Sequence, residues 1–72
     1  MFKKYYVLKS GDFYLTDINY KYNKIEDFKL EKEYKHIFAD FEIAEDIRKE
    51  IYIETGLNLE VKLFKEVEDE TI

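Results

Sequence analysis

Phe41, Ala44, Ile47 and Ile51 recur at helical spacing, and residues that start and stop a helix bracket them. Asp40 stands where an N-cap belongs, its carboxylate available to the first-turn N–H groups. Glu42 and Glu45 follow near the positive end of the helix dipole. Gly56 supplies a left-handed position at the far end. This predicts one helix over residues 41–55, although Ile51-Tyr52-Ile53 favours strand. The flanking segments carry strand signals, so the helix's apolar stripe has a sheet to cover.

Ahead of the helix, Phe2 to Lys9 is rich in Tyr, Val and Phe. Ser10-Gly11-Asp12 then marks a turn, and Phe13 to Ile18 is a second strand-like run. Together they predict a hairpin. Residues 19–27 are polar with Tyr20, Tyr22 and Ile25 interspersed, and read as a loop that extends the second strand. Phe28 to Tyr34 alternates apolar and charged residues, which predicts a third strand, with His36-Ile37-Phe38 continuing it after a kink. Leu57 to Phe64 alternates Leu59, Val61 and Leu63 and predicts a fourth.

The expected fold is therefore α+β, in the order β-β-β-α-β: a mostly antiparallel four-stranded sheet with one helix packed on one face. A strand, helix and strand in succession favour a right-handed crossover between parallel strands. That places the fourth strand beside the first and parallel to it, in the spatial order 4-1-2-3. The domain is expected to span residues 1–66, followed by an acidic, frayed tail at 67–72.

At 72 residues the chain is short enough to form one domain only. Such a domain buries roughly 60% of its extended surface, so its stability is a few kcal/mol. It has no cysteine, hence neither a disulfide nor a thiolate metal site. Seven Tyr and six Phe supply large side chains for the core instead. No apolar run approaches the roughly 20 residues of a membrane span. The expected protein is soluble and cytoplasmic.

The net charge of −5 is unevenly spread. Residues 1–35 hold eight Lys and six Asp/Glu, net +2, while residues 36–72 hold four Lys/Arg and eleven Asp/Glu, net −7. An acidic chain repels phosphate backbones at long range, which disfavours nucleic acid as a partner. The opposing signal is the group Lys3, Lys4 and Lys9 with Tyr5, Tyr6, Tyr14, Tyr20 and Tyr22. Interleaved lysines and aromatics are the ingredients of a single-strand stacking platform. The alternative expectation is thus a nucleic-acid-binding regulator that uses the lysine/tyrosine hairpin.

Few residues suit catalysis. His36 is the only histidine and Ser10 the only serine, and the two glycines are too far apart for a phosphate loop. His36 reads as a residue beside a strand kink. The expectation is a non-enzymatic protein with no cofactor and no metal.

Tyr6-Val7-Leu8-Lys9, Tyr14-Leu15-Thr16-Asp17, Phe38-Ala39-Asp40-Phe41-Glu42-Ile43-Ala44 and Thr55-Gly56 together resemble small uncharacterised proteins encoded by phages and prophages of low-GC Gram-positive bacteria. The resemblance covers most of the chain and rests on structural motifs. It implies a setting, an accessory gene product in the host cell cytoplasm, and it carries over no catalytic residue.

With one helix over a sheet, several aromatics are left for the opposite face, and an exposed apolar patch marks an interface. The expected function is protein binding, either to a host or phage protein or to a second copy in a homodimer. Glu42, Glu45, Glu60, Glu66, Glu68 and Asp69 are the candidate acidic surface, and Tyr5 and Tyr14 the aromatic anchors. Such a surface would inhibit a host defence or nucleic-acid-binding factor by mimicking phosphate. A sheet whose tyrosines lie beneath lysine stems is the plain structural alternative.

Overall fold

The computed structural model describes residues 2–68. The elements are β1 (Phe2–Ser10), β2 (Phe13–Lys21), β3 (Lys24–Glu31), α1 (Phe41–Thr55) and β4 (Glu60–Glu68). They form the expected α+β fold: one open antiparallel sheet in the order β3-β2-β1-β4 and one helix.

Two tight turns build the first three strands. Lys9 faces Tyr14 and Ser10 faces Phe13 across the first, where Gly11 adopts φ +59°. A left-handed first turn position followed by a right-handed second matches the twist of the flanking strands. The second turn replaces the expected loop at 19–27. β2 runs on to Lys21, which pairs with Lys24, and Tyr22 and Asn23 have φ of 54° and 64°. Two left-handed residues in succession are the pattern of a type I′ turn, which Asn-Gly fills with least strain. Tyrosine in that conformation is strained, and Tyr22 is almost fully exposed. Tyr22→Asn is therefore expected to raise the urea midpoint, by about 0.5–1 kcal/mol in stability. An unchanged midpoint would mean the strain is not carried there.

The helix starts and ends as the sequence predicts. Asp40 is extended (φ −131°, ψ 122°), and its Oδ1 accepts from the Glu42 N–H at 2.8 Å. Gly56, at φ +79°, donates its N–H to the Tyr52 carbonyl at 2.8 Å. Thr55 Oγ1 donates to the Ile51 carbonyl and accepts from the Leu57 N–H, closing the last turn. Asp40→Ala should cost about 1 kcal/mol. Circular dichroism melts would show this as a lower Tm, while Asp40→Ser should recover most of the loss.

β1 and β2 pair directly only next to their turn and then part. The segment between β3 and α1 fills the gap. The His36 N–H donates to the Leu15 carbonyl of β2 at 2.7 Å, and Phe38 exchanges two backbone bonds with Tyr6 of β1, at 2.8 and 2.9 Å. This corrects the third strand, which ends at Glu31 and not at Tyr34. Residues 36–38 form a single antiparallel bridge to β1 in mid-sheet and do not continue that strand.

The same segment explains a second correction. β4 lies beside β1 as expected but runs antiparallel to it. In the expected crossover β3 is the strand that enters the helix. The extended piece directly before α1 is instead residues 36–38, which run antiparallel to β1. That piece and β4 are therefore parallel to each other, one on either side of β1. The helix still joins two parallel extended pieces, and β1 lies between them.

β4 also begins and ends later than the alternation suggests. Leu59 is buried just before it, and the ladder continues through Val67 opposite Lys3 and Glu68 opposite Phe2. The last paired residues thus fall inside the stretch expected as a frayed tail. The rest of that stretch, Asp69 included, lies outside the described residues.

The core lies between helix and sheet: Leu8, Leu15, Ile25, Phe38, Ala44, Ile51 and Leu59, bordered by Tyr6, Ile18, Phe28, Leu30, Ile47, Leu57 and Val61. Complete burial of a side chain the size of Leu or Ile stabilises by about 1.5–3 kcal/mol. Of the expected helix stripe, Ala44 and Ile51 are fully buried and Ile47 partly so. Phe41 is half exposed and meets Tyr6 edge to face, with ring centroids 5.3 Å apart.

Candidate functional site

The two sides of the sheet differ in chemistry. On β1, Tyr6 and Leu8 face the helix, so the alternation turns Tyr5, Val7 and Lys9 to the other side. The register adds Tyr14 opposite Lys9, Lys65 opposite Tyr5, Lys62 opposite Val7 and Glu60 opposite Lys9. A bulge displaces Phe64, which has no partner across from it, between the Tyr5–Lys65 and Tyr6–Leu63 pairs.

Lysines cover the rings on this side. Lys35 Nζ lies 4.7 Å from the Tyr14 ring centroid and 5.1 Å from that of Phe64. Lys9 Nζ is 5.5 Å from Tyr14, and Lys65 Nζ is 5.3 Å from Tyr5. At such distances each ammonium is attracted by the ring quadrupole, and the lysine stems shade Tyr5 and Tyr14 from water while Phe64 stays 43% exposed. Tyr5 and Tyr14, the expected anchors, are accordingly half-buried, and Val7 beside them is fully buried. Glu60, opposite Lys9, and Glu31, opposite Tyr14, are acidic residues of this face, and Glu60 bonds Lys62 at 3.2 Å. The face is thus locally basic in a chain of net charge −5.

The helix side is apolar and acidic. Along one flank of α1 stand Phe41, Glu45, Arg48 and Tyr52, spaced to share a face. Glu45 accepts a bond from Arg48 Nη2, and Arg48 Nη1 donates to Asn58 Oδ1 at 3.0 Å, which ties the flank to the chain just before β4. The Arg48 hydrogen bond is the main reason the Glu45 carboxyl titrates below the ordinary carboxylate range; nearby Arg48 and Lys49 charges add to it against partial desolvation. The pair is therefore intact above that range and is lost only as pH falls through the lowered value.

The apolar members of this side are open to solvent. Phe41 is 48% exposed, Tyr52 52%, Leu63 53% and Phe2 60%. Three of them gather about Tyr6: Phe41 packs on Tyr6, Tyr6 faces Leu63 across the ladder, and Phe2, Tyr6 and Phe41 line one groove with Lys4, Ala39 and Asp40, while Tyr52 stands about three turns along the helix from Phe41. A contiguous apolar patch of this kind is unusual on a chain that works alone.

The six candidate acidic residues do not form one surface. Glu42 and Glu45 lie on the helix. Glu66 and Glu68 face Lys4 and Phe2 at the far end of the β1–β4 ladder, on the helix side. Glu60 is on the lysine face, and Asp69 lies outside the described residues. Sequence reasoning missed the flank residues Phe41, Arg48 and Tyr52 as site residues, together with Leu63 and Phe2. Their signal was present, because residues 41, 45, 48 and 52 have the spacing of a helical seam, and Arg48 is the only arginine.

Elsewhere, Glu50 Oε1 accepts from the Ile25 N–H at 3.2 Å and so links helix to edge strand. Burial, and then the Glu50 charge, raise the nearby Tyr20 phenol above its ordinary value. His36 is exposed and lies edge-on to Phe38 at 4.5 Å. Among the described residues no group of three or more His, Asp or Glu is placed to hold a metal ion, and no helix is long and apolar enough to cross a membrane. No family model, curated protein or solved structure matches the chain.

Proposed function

We propose that this chain is a small, non-enzymatic accessory protein that acts by binding another protein through the helix side of its sheet. One observation carries the reading: Phe2, Phe41 and Leu63 form a solvent-exposed apolar patch about Tyr6, with Glu42, Glu66 and Glu68 at its edge and the exposed Tyr52 further along the same helix flank. Apolar centres with a charged rim are the anatomy of protein interfaces, and aromatic residues dominate their energetics. The setting suggested by the resemblance is a phage or prophage gene product in a host cell. In that setting, inhibition of a host defence or nucleic-acid-binding factor is the concrete form of the proposal. The test is affinity capture with the tagged chain. A stoichiometric protein partner should be retained by Tyr22→Ala and lost with Tyr52→Ala or Leu63→Ser. Without any stoichiometric partner, a second copy included, the reading fails.

A second reading has its own support. Lys9, Lys35, Lys62 and Lys65 stand with Tyr5, Tyr14 and Phe64 on the opposite face. Basic residues interleaved with rings on an open sheet suit a single-stranded nucleic acid. Its support is weaker, because the lysines already occupy the ring faces on which bases would stack. Titration of a fluorescent oligonucleotide distinguishes the two readings. Strong salt-dependent binding that Lys35→Glu abolishes would favour this one.

A further inference from the structure

We propose that the partner on the flank of α1 is a second copy of the chain, docked with the two helices antiparallel about a two-fold axis between Glu45 and Arg48. The inference rests on the protein-binding reading and names its partner. The flank is self-complementary. In an antiparallel pair, Phe41 of one helix meets Tyr52 of the other, and Glu45 meets Arg48, each contact occurring twice. A two-fold interface requires such reciprocity, in which residue i meets j and j meets i. The helical rise gives the spacing: the two rings lie about 16 Å apart along the axis and the two charges about 4.5 Å apart, symmetric about the same midpoint.

Charge selects this arrangement. A parallel two-fold pair would set Glu45 against Glu45 and Arg48 against Arg48. The antiparallel pair alternates the four charges and also opposes the helix dipoles. Arg48 and Glu45 are 23% and 27% exposed along their side chains, so the charges lie on the floor between two protruding rings and do not stand clear of them. Leu63 continues the apolar surface at the side of the flank, next to Tyr6 and Phe41.

Four flank side chains from each copy make a small interface, so the dimer is expected to be weak, in the micromolar range of about 10 µM. Each copy carries −5, so long-range repulsion opposes association at very low salt and is screened at physiological ionic strength.

The test is light scattering after size exclusion on four samples, with circular dichroism to check folding. Wild type should reach twice the chain mass of 8.9 kDa as its concentration rises through tens of micromolar. Glu45→Arg has two cations on the flank and Arg48→Glu two anions, so each alone should remain monomeric at concentrations where wild type is dimeric. Mixed in equal amounts, the two variants should recover a dimer, because each flank then faces its opposite. Neither variant holds an internal Glu–Arg pair, so repair within one chain cannot mimic that recovery. Tyr52→Ala, which removes an exposed ring and leaves the core intact, should weaken the dimer at least tenfold. A monomeric wild type at about 1 mM, single variants that still dimerise, or a mixture that stays monomeric would each overturn the proposal. A monomer that still captures a different protein through Tyr52 would remove the second copy as partner and leave the protein-binding reading in place.

Discussion

Phe38→Ala is expected to leave the protein largely unfolded at 25 °C. The ring is 4% exposed, in the core cluster with Leu8, Leu15 and Ala44. Deleting a buried phenylalanine costs about 3–5 kcal/mol, and a domain of this size has only a few kcal/mol in reserve. The position is unusual because the ring's backbone holds the parted strands together: Phe38 bridges to Tyr6 while His36 bonds Leu15. Loss of the ring therefore loosens the seam between β1 and β2 as well as leaving a cavity. Urea unfolding followed by far-ultraviolet circular dichroism would show a lost or strongly shifted transition. A loss below about 1 kcal/mol would mean that residues 36–38 do not hold the sheet together.

The second large effect distinguishes the two sides of the helix. Ile51→Ala should cost about 2–5 kcal/mol, because Ile51 is fully buried in the core between helix and sheet. Ile53→Ala should change stability by less than about 0.5 kcal/mol, because Ile53 is 77% exposed. The two residues are the same type and two positions apart, so propensity largely cancels in the comparison. Equal costs, read from matched urea titrations, would contradict the way the helix is seated.

Both effects depend on features that differ in how legible they were. The helix was readable from Asp40, the Phe41–Ile51 spacing and Gly56, since caps and periodicity are local. The first hairpin was readable from Gly11 for the same reason. The order of β1 to β3 followed from adjacency, and the expected crossover placed β4 beside β1. The direction of β4 did not, because it depends on residues 36–38 inserting between β1 and β2, a long-range contact with no local signature. The second hairpin was hidden because Tyr22-Asn23 lacks the glycine that marks a type I′ turn. The extent of β4 was obscured by acidic residues: Glu66 lies past the expected strand end at Phe64 and Glu68 within the expected tail, although their backbone pairs with Lys4 and Phe2.

For the candidate site, residue types were legible and their grouping was not. The expectation of aromatic anchors named Tyr5 and Tyr14, which alternation does place away from the helix. Composition could not show that Lys9, Lys35 and Lys65 would cover them. Lys35 in particular reaches Tyr14 and Phe64 from a connecting segment, so its role depends on the same inserted stretch. With Tyr5 and Tyr14 covered and Phe64 left partly open, the larger open aromatic surface is on the helix side, where Phe41 and Tyr52 flank a Glu–Arg pair.

The proposed dimer places the second copy on the helix flank and not on the lysine face. The most direct measurement is a dilution series of nitrogen-15 amide spectra on the wild-type protein, from about 1 mM to about 10 µM. Concentration-dependent shifts should be confined to α1 and to β4 near Leu63, with Lys9, Tyr14 and Lys35 unmoved. Shifts concentrated at Lys9, Tyr14 and Lys35, or no shifts anywhere, would contradict that placement.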